Sequence, residues 1–329
     1  LREDTEMPNI IASIGLYGDP HLCDRDYGAH NNYPEESIYY YSEITKIVEK
    51  RKLTHLIGTG DFTFGRFKVL EYREKVEKEL QKQFDLTNGN HYELCGNHDI
   101  AGYGMCERDF YINKGLLKKS ENLTLGNLHI TMVDYGKYNE IVPNIVDSEN
   151  SINVVVAHDF FKFRNTNIAN FGKVVELDLF DRWYGTDLLI CGHIHKILNF
   201  SGYIQKGNLA HELQVNYLGC MSRPAYREGN MDDVGQVMIL TIYDDGHMDL
   251  DIETIKLWSL EKSFNFEEKV KEQTKKEEKA NRVDITDIVK QLDSHDRNVG
   301  NPEDIINAMK DIDEKYKNKA ISLLKEALA

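Results

Sequence analysis

Five short apolar runs, each breaking off close to a glycine, an aspartate or a histidine, constrain this chain more than any other feature. Ile10–Tyr17, Leu53–Gly58, Tyr92–Gly96, Ile152–Ala157 and Asp187–Cys191 read as buried strands. Between the first two, Pro34 opens a helix candidate in which Ile38, Tyr41, Ile44 and Val48 recur at helical spacing. Between the next two, Val69, Arg73, Val76, Leu80 and Phe84 put a mainly apolar stripe on a charged helix. Strands alternating with helices predict an α/β domain. Asn122–Tyr135 predicts a hairpin around Gly126-Asn127, and Gly235–Trp258 a second one turning at Asp244-Asp245-Gly246.

After Trp258 the strand pattern stops. Residues 261–329 carry 14 basic and 16 acidic side chains and few aromatics. The expected organisation is a main domain over 8–260, a charged linker or helix over 261–282, and a helical appendage over 283–329. In that appendage Asn301-Pro302 caps a helix with Ile305, Met309, Ile312, Tyr316, Ala320, Leu323 and Ala327 on one face. Such a stripe needs a partner surface.

With 40 basic and 55 acidic residues the net charge is −15, which disfavours a sequence-independent coat on DNA. A local basic strip beside bound cations remains compatible with that total. No apolar stretch approaches the roughly 18 residues of a membrane span, and the opening Leu-Arg-Glu-Asp-Thr-Glu lacks the basic and apolar regions of a signal peptide. The five cysteines (23, 95, 106, 191 and 220) include no C-x-x-C pair. They read as small buried hydrophobes in a reducing, cytoplasmic compartment.

Chemistry concentrates where the strands end. The motifs are Gly18-Asp19-Pro20-His21, Gly60-Asp61, Gly96-Asn97-His98-Asp99, Ala157-His158-Asp159 and Gly192-His193-Ile194-His195. From Asp19 to Asp61, Asn97, His158 and His193 the steps are 42, 36, 61 and 35 residues. Each step is one strand-plus-crossover unit, so the loops can converge on one edge of the sheets. Carboxylates, an amide and imidazoles together suit manganese, iron or zinc better than calcium or magnesium alone. So many donors exceed one site and fit two metals sharing a carboxylate.

In this order the motifs resemble the calcineurin-like metallophosphoesterase superfamily, over roughly residues 10–200. The resemblance implies an α/β, two-sheet αββα sandwich binding two divalent metal ions, most often manganese. It implies that Asp19, His21 and His195 bind the first metal, that Asn97, His158 and His193 bind the second, and that Asp61 bridges them. His98 would lie beside the scissile phosphate, oriented by Asp99. Paired cations clamp phosphoryl oxygens and lower the pKa of a bound water, and an imidazole can protonate the leaving alkoxide.

Phe62-Thr-Phe-Gly-Arg follows Gly60-Asp61 in place of Asp-Arg-Gly, and Gly-Asn-His ends in Asp, not Glu. Both differences point away from Ser/Thr protein phosphatases. Phe180-Asp181 leading to the Gly-His-Ile-His motif, and Asn216-Tyr-Leu-Gly-Cys-Met-Ser-Arg with Arg227-Glu228 beyond it, resemble SbcD-type nuclease subunits. There a Tyr-Pro-Gly-Ser stretch precedes two strands; here Leu218 replaces the proline and Cys220 the serine. A reduced cap resembles the bacteriophage recombination-endonuclease version. The resemblance implies a DNA exo/endonuclease of recombination and repair, with C-terminal helices gripping an SMC-like coiled-coil ATPase. It also implies a homodimer through the first helices, where Tyr39-Tyr40-Tyr41 is a candidate contact.

Two acid-free stretches leave the metal motifs: Phe62–Lys68, and Phe160-Phe-Lys-Phe-Arg on to Lys173. They make Arg66, Lys68, Lys162 and Arg164 candidate contacts to the DNA backbone, with phenylalanines stacking near an end. The competing readings are a small-molecule phosphodiesterase, for instance on cyclic nucleotides, and a structural subunit whose metal site braces an ATPase complex.

Overall fold

The computed structural model describes residues 8–26, 30–101, 105–168, 173–222 and 235–265, with 271, 317, 318, 321 and 322. By packing the chain forms two units, Leu1–Phe264 and Asn265–Ala329. The cap at Asn301-Pro302 and Arg227-Glu228 lie outside the described residues. In the second unit residues 317–318 and 321–322 are helical. Among the described residues no helix is long and apolar enough to cross a membrane.

The first unit is built on two large sheets, making it a mixed α/β fold. One sheet has the order β15-β14-β1-β2-β3, formed by β1 (Ile10–Tyr17), β2 (His55–Gly58), β3 (His91–Glu93), β14 (Gln236–Tyr243) and β15 (Met248–Thr254). Its strands β1, β2 and β3 are parallel, β14 runs antiparallel to β1, and β15 pairs antiparallel with β14. The other sheet has the order β12-β13-β11-β8-β7-β6. Its members are β6 (Asn122–Leu125), β7 (Leu128–Val133), β8 (Ile152–Ala157), β11 (Leu188–Cys191), β12 (Ile197–Lys206) and β13 (Leu209–Leu218). Strands β7, β8, β11 and β13 run parallel. Two-residue ladders pair β4 (Ile100–Ala101) with β5 (Met105–Cys106), and β9 (Phe161–Lys162) with β10 (Val175–Glu176).

Alternation along each strand decides which layer a side chain joins. Ala12, Ile14 and Leu16 of β1 meet Val154, Val156, Leu188 and Ile190 between the sheets. Tyr17, Leu56, Val237 and Ile239 face the other way, against α1 (Tyr33–Arg51) and α2 (Leu70–Leu86). Helix α1 begins where the Asn32 side chain accepts the Glu35 amide, with Pro34 in its first turn. Tyr40 and Tyr41 are buried in that helical layer, and Tyr39 packs on Trp258 with ring centroids 5.8 Å apart. Tyr40 and Tyr41 are therefore spent inside this fold, while Tyr39 stays half-buried.

The outer face of the second sheet is covered differently. Val155, Ala157, Leu189 and Cys191 pack against Phe160, Phe161, Phe163 and Trp183, carried by loops and two short 3-10 turns, Leu177–Leu179 and Asp181–Trp183. No α-helix serves this layer among the described residues, because aromatic bulk fills it without needing a helical stripe. Short helices α3 (Glu107–Asn113) and α4 (Leu260–Ser263) complete the unit. Both expected hairpins form, as β6–β7 and β14–β15. The long β12–β13 hairpin turning at Gly207-Asn208 is an addition to the sequence reading.

Candidate metal centre

The five motifs all follow the carboxyl ends of parallel strands: β1, β2 and β3 of one sheet, β8 and β11 of the other. At that edge each chain must turn sharply, and three of the candidate ligands take the turn themselves. His21, Asp61 and His193 have φ of 46°, 50° and 78°, in the left-handed region that Asp and His tolerate better than bulkier residues. Gly96 is there for space: a Cβ on it would lie 2.2 Å from both the amide nitrogen and Oδ1 of Asp61.

The donors form two overlapping groups around Asp61. Asp19, His21, Asp61 and His195 have ligand atoms all within 4.8 Å of one another. His21 Nε2 lies 3.0 Å from His195 Nε2 and 3.7 Å from Asp61 Oδ2. On the other side, Asn97 Oδ1 lies 2.9 Å from His193 Nδ1 and 3.2 Å from His158 Nε2, and His158 Nε2 lies 3.4 Å from Asp61 Oδ2. All seven sequence-derived ligand candidates are thus brought together. Cys220 adds an eighth donor, its sulfur grouped with His21 and His195. Sequence reasoning passed over it as a small apolar residue.

The surroundings hold these groups as metal ligands need to be held. His158 Nδ1 donates to the Thr59 carbonyl at 2.8 Å, which directs Nε2 at Asp61 and Asn97. The His193 amide donates to Asp19 Oδ2 at 2.8 Å, and the His98 amide to Asp61 Oδ1 at 2.7 Å. Burial, partly offset by His158 and reinforced by the Asp61 charge, pushes Asp19 up to about 8. Burial raises Asp61 as well, but His158, His21 and His98 outweigh it and hold that carboxyl well below the usual range. For His158 burial works downward and is overcome by Asp61 and Asp19, which carry it up to about 10. Burial brings His193 and His195 down to about 4, leaving their lone pairs free. Two carboxylates at 0–1% exposure facing inward-pointing imidazoles fit divalent cations, which would replace the protons on His158 and Asp19.

His98 stands beside this cluster. Its ring stacks on Phe64 at 4.7 Å and 28°, meets the edge of His21 at 5.1 Å, and makes no side-chain hydrogen bond among the described residues. Asp99 does not orient it. Both Asp99 oxygens are taken, Oδ1 by the Thr63 amide at 2.7 Å and Oδ2 by the Gly96 amide at 2.8 Å. The carboxylate instead ties the Asp61 loop to the Asn97 loop. Tyr135 flanks the opposite side, stacked on His193 at 5.9 Å.

The outlying basic candidates fare unevenly. Arg66 and Lys68 are exposed. Lys162 is half-buried, and the exposed Arg164 pairs with Glu176 at 3.0 Å. The phenylalanines expected to stack on DNA are core: Phe62, Phe160, Phe161 and Phe163 are at most 1% exposed. The aromatic spacing seen in the sequence is the packing of the layers, and among the described phenylalanines of these stretches only Phe64 turns toward the metal centre.

No family model matches this chain, and no curated protein does. Among solved structures it is similar to a dimetal phosphatase from Danio rerio, at 11% identity over 76% of this chain and 100% of that one, with a TM-score of 0.41. It is also similar to Vps29 from Chaetomium thermophilum, at 11% identity over 74% of this chain and 97% of that one, with a TM-score of 0.32.

Proposed function

We propose that this chain is a two-metal phosphoesterase and that the bond it hydrolyses is a phosphodiester of DNA. The observation that carries the hydrolase reading is the convergence of Asp19, His21, Asn97, His158, His193 and His195 on Asp61. Asp19, His21 and His195 would hold one cation, Asn97, His158 and His193 the other, and Asp61 would be shared by both. Manganese, iron and zinc all suit this mixed oxygen and nitrogen set, and manganese is the ion we favour. When bound, such ions polarise a phosphoryl group and acidify water.

The chain's own part begins with His98, whose ring delivers a proton to the leaving alkoxide. Phe64 holds that ring by stacking. Asp99 keeps the two loops carrying Asp61 and Asn97 at fixed separation, and Tyr135 walls the His193 side. The choice of DNA is supported by the resemblance of the segments around the last histidine motif to SbcD-type nucleases. Exposed Arg66 and Lys68, just past the Asp61 turn, are placed to meet a phosphate backbone. Arg164 can trade its exposed pairing with Glu176 for a phosphate, since such surface pairs are weak. On the same reading residues 283–329 grip an SMC-like ATPase and the subunit works as a homodimer.

The test is hydrolysis with manganese of duplex DNA, single-stranded DNA and bis(p-nitrophenyl) phosphate, by wild type and His98→Ala. DNA cleavage lost in the variant supports the nuclease. Turnover of the small diester with DNA untouched, even with the ATPase added, moves the substrate to small phosphodiesters. Inertness toward all three refutes the hydrolase.

A further inference from the structure

We propose that the thiol of Cys220 is itself a ligand of the first metal position, alongside His21 and His195, so that this position is a sulfur-containing site. The inference rests on the two-metal reading above and adds to it a donor and a metal preference.

The geometry comes first. The ligand atoms of His21, His195 and Cys220 all lie within 4.8 Å of one another. A zinc-like ion takes a thiolate at about 2.3 Å and an imidazole nitrogen at about 2.1 Å, so two such donors on one ion sit at most about 4.4 Å apart. A few tenths of an ångström separate the observed limit from that reach. His21 is only 1% exposed, its Nε2 faces His195 Nε2, and its Nδ1 has no hydrogen-bond partner. The two facing Nε2 atoms are the pair that a shared cation would satisfy.

Cys220 is also fixed where it stands. It forms a parallel bridge with Asp19, the Met221 amide donates to the Asp19 carbonyl at 3.0 Å, and the Cys220 thiol donates to the same carbonyl at 3.1 Å. The two strand ends approach so closely that a Cβ on Gly18 would lie 1.9 Å from the Gly219 carbonyl oxygen. The Tyr33 hydroxyl joins the pieces a second time, donating to the His21 carbonyl at 3.0 Å and lying 2.7 Å from Ser222 Oγ. The segment after β13 is thus laced to the loop bearing Asp19 and His21, with its sulfur on the metal side.

Binding breaks the S–H bond, releases the proton to bulk solvent, and lets the freed sulfur lone pair form the bond to the cation. A soft donor shifts the position's preference toward zinc, iron or cobalt and away from magnesium.

The test is titration of the metal-free full chain with cobalt(II), followed by its electronic spectrum, for wild type, Cys220→Ser and Cys95→Ser. The expected result is a near-ultraviolet thiolate-to-cobalt charge-transfer band in wild type and Cys95→Ser, absent in Cys220→Ser, with visible ligand-field bands in all three. The zinc-over-magnesium affinity ratio should fall in Cys220→Ser by at least the roughly 10- to 100-fold that losing even an outer-shell partner costs. In unmutated protein, zinc should also protect Cys220 from alkylation to a larger degree than it protects Cys95, a readout that does not need the variant to fold. Ligand-field bands without a charge-transfer band in wild type overturn the thiolate ligand and leave the two-metal site standing. Absence of cobalt binding altogether overturns both.

Discussion

Replacing Phe64 by leucine should slow hydrolysis while leaving the metals in place. The His98 ring has no hydrogen bond to hold it among the described residues; it is held by its 4.7 Å stack on Phe64 and by the edge of His21 at 5.1 Å. An aromatic pair of this kind is worth about 0.5–1.5 kcal/mol. If that energy is what keeps the ring aimed at the leaving group, its loss reduces kcat by about 2- to 13-fold, at 1.36 kcal/mol per tenfold. Phe64 is no metal ligand, so manganese affinity should not move. The assay is steady-state hydrolysis of bis(p-nitrophenyl) phosphate beside a manganese titration. A double-mutant cycle sharpens it, because Phe64→Leu placed on His98→Ala should cost nothing further. An unchanged kcat, a loss of metal that accounts for the slowing, or full additivity with His98→Ala would each refute the positioning role.

Metal uptake should strengthen as pH rises from about 6 to 8, because binding must displace protons from His158, held up to about 10, and from Asp19, held up to about 8. Calorimetry in buffers of different ionisation heat reads the released protons, and a pH-independent affinity contradicts the expectation. Gly96→Ala should abolish metal binding, since the new methyl falls 2.2 Å from Asp61; a variant that binds manganese normally rules out the close approach. Asp99, pushed from 3.8 up to about 7 by burial and the Asp61 charge, binds its proton more tightly folded than unfolded. The stability this gives is full below about pH 4 and lost as pH rises through about 7. Urea unfolding of the metal-free proteins should therefore show wild type losing ground to Asp99→Asn between about pH 5 and 7; a margin that grows with pH refutes the assignment.

What the sequence could carry was whatever repeats at short range. The strands with motifs at their ends and the helices α1 and α2 are marked by apolar runs or helical patterns and by Pro34 at a helix start, so their places were legible. The β12–β13 hairpin was not, because its apolar positions Phe200, Ile204, Leu213, Val215 and Tyr217 line one face only, while Ile197 and Tyr203 blur the alternation from the exposed side. Long-range facts were illegible for a different reason. Asp99 was paired with His98 only through the family resemblance, but its carboxylate reaches back 36 residues to Thr63. Cys220 lies 201 residues from Asp19 and bridges to it only through strand order. The phenylalanines of those runs misled because phenylalanine at spacing two marks a buried strand as readily as a stacking surface.

The ligand set also has a mechanical consequence. Asp19, His21, Asp61 and Asn97 follow strands of one sheet, and His158, His193 and His195 follow strands of the other, so bound cations cross-link the two layers at one edge. Three of those residues keep left-handed backbones, each at a cost of about 1–3 kcal/mol, and two carboxylates are buried together. Cations that bind only the folded chain offset this by about 2.7 kcal/mol at a hundredfold excess over Kd. The gain should be local in origin. Hydrogen exchange with and without manganese should show added protection in the loops at 18–21, 59–61, 94–99, 157–159 and 191–195, while amides at the Gly207-Asn208 tip of the β12–β13 hairpin stay as they were. Protection confined to one sheet's loops would mean that the ions sit within one layer, and the shared role of Asp61 would fall with it.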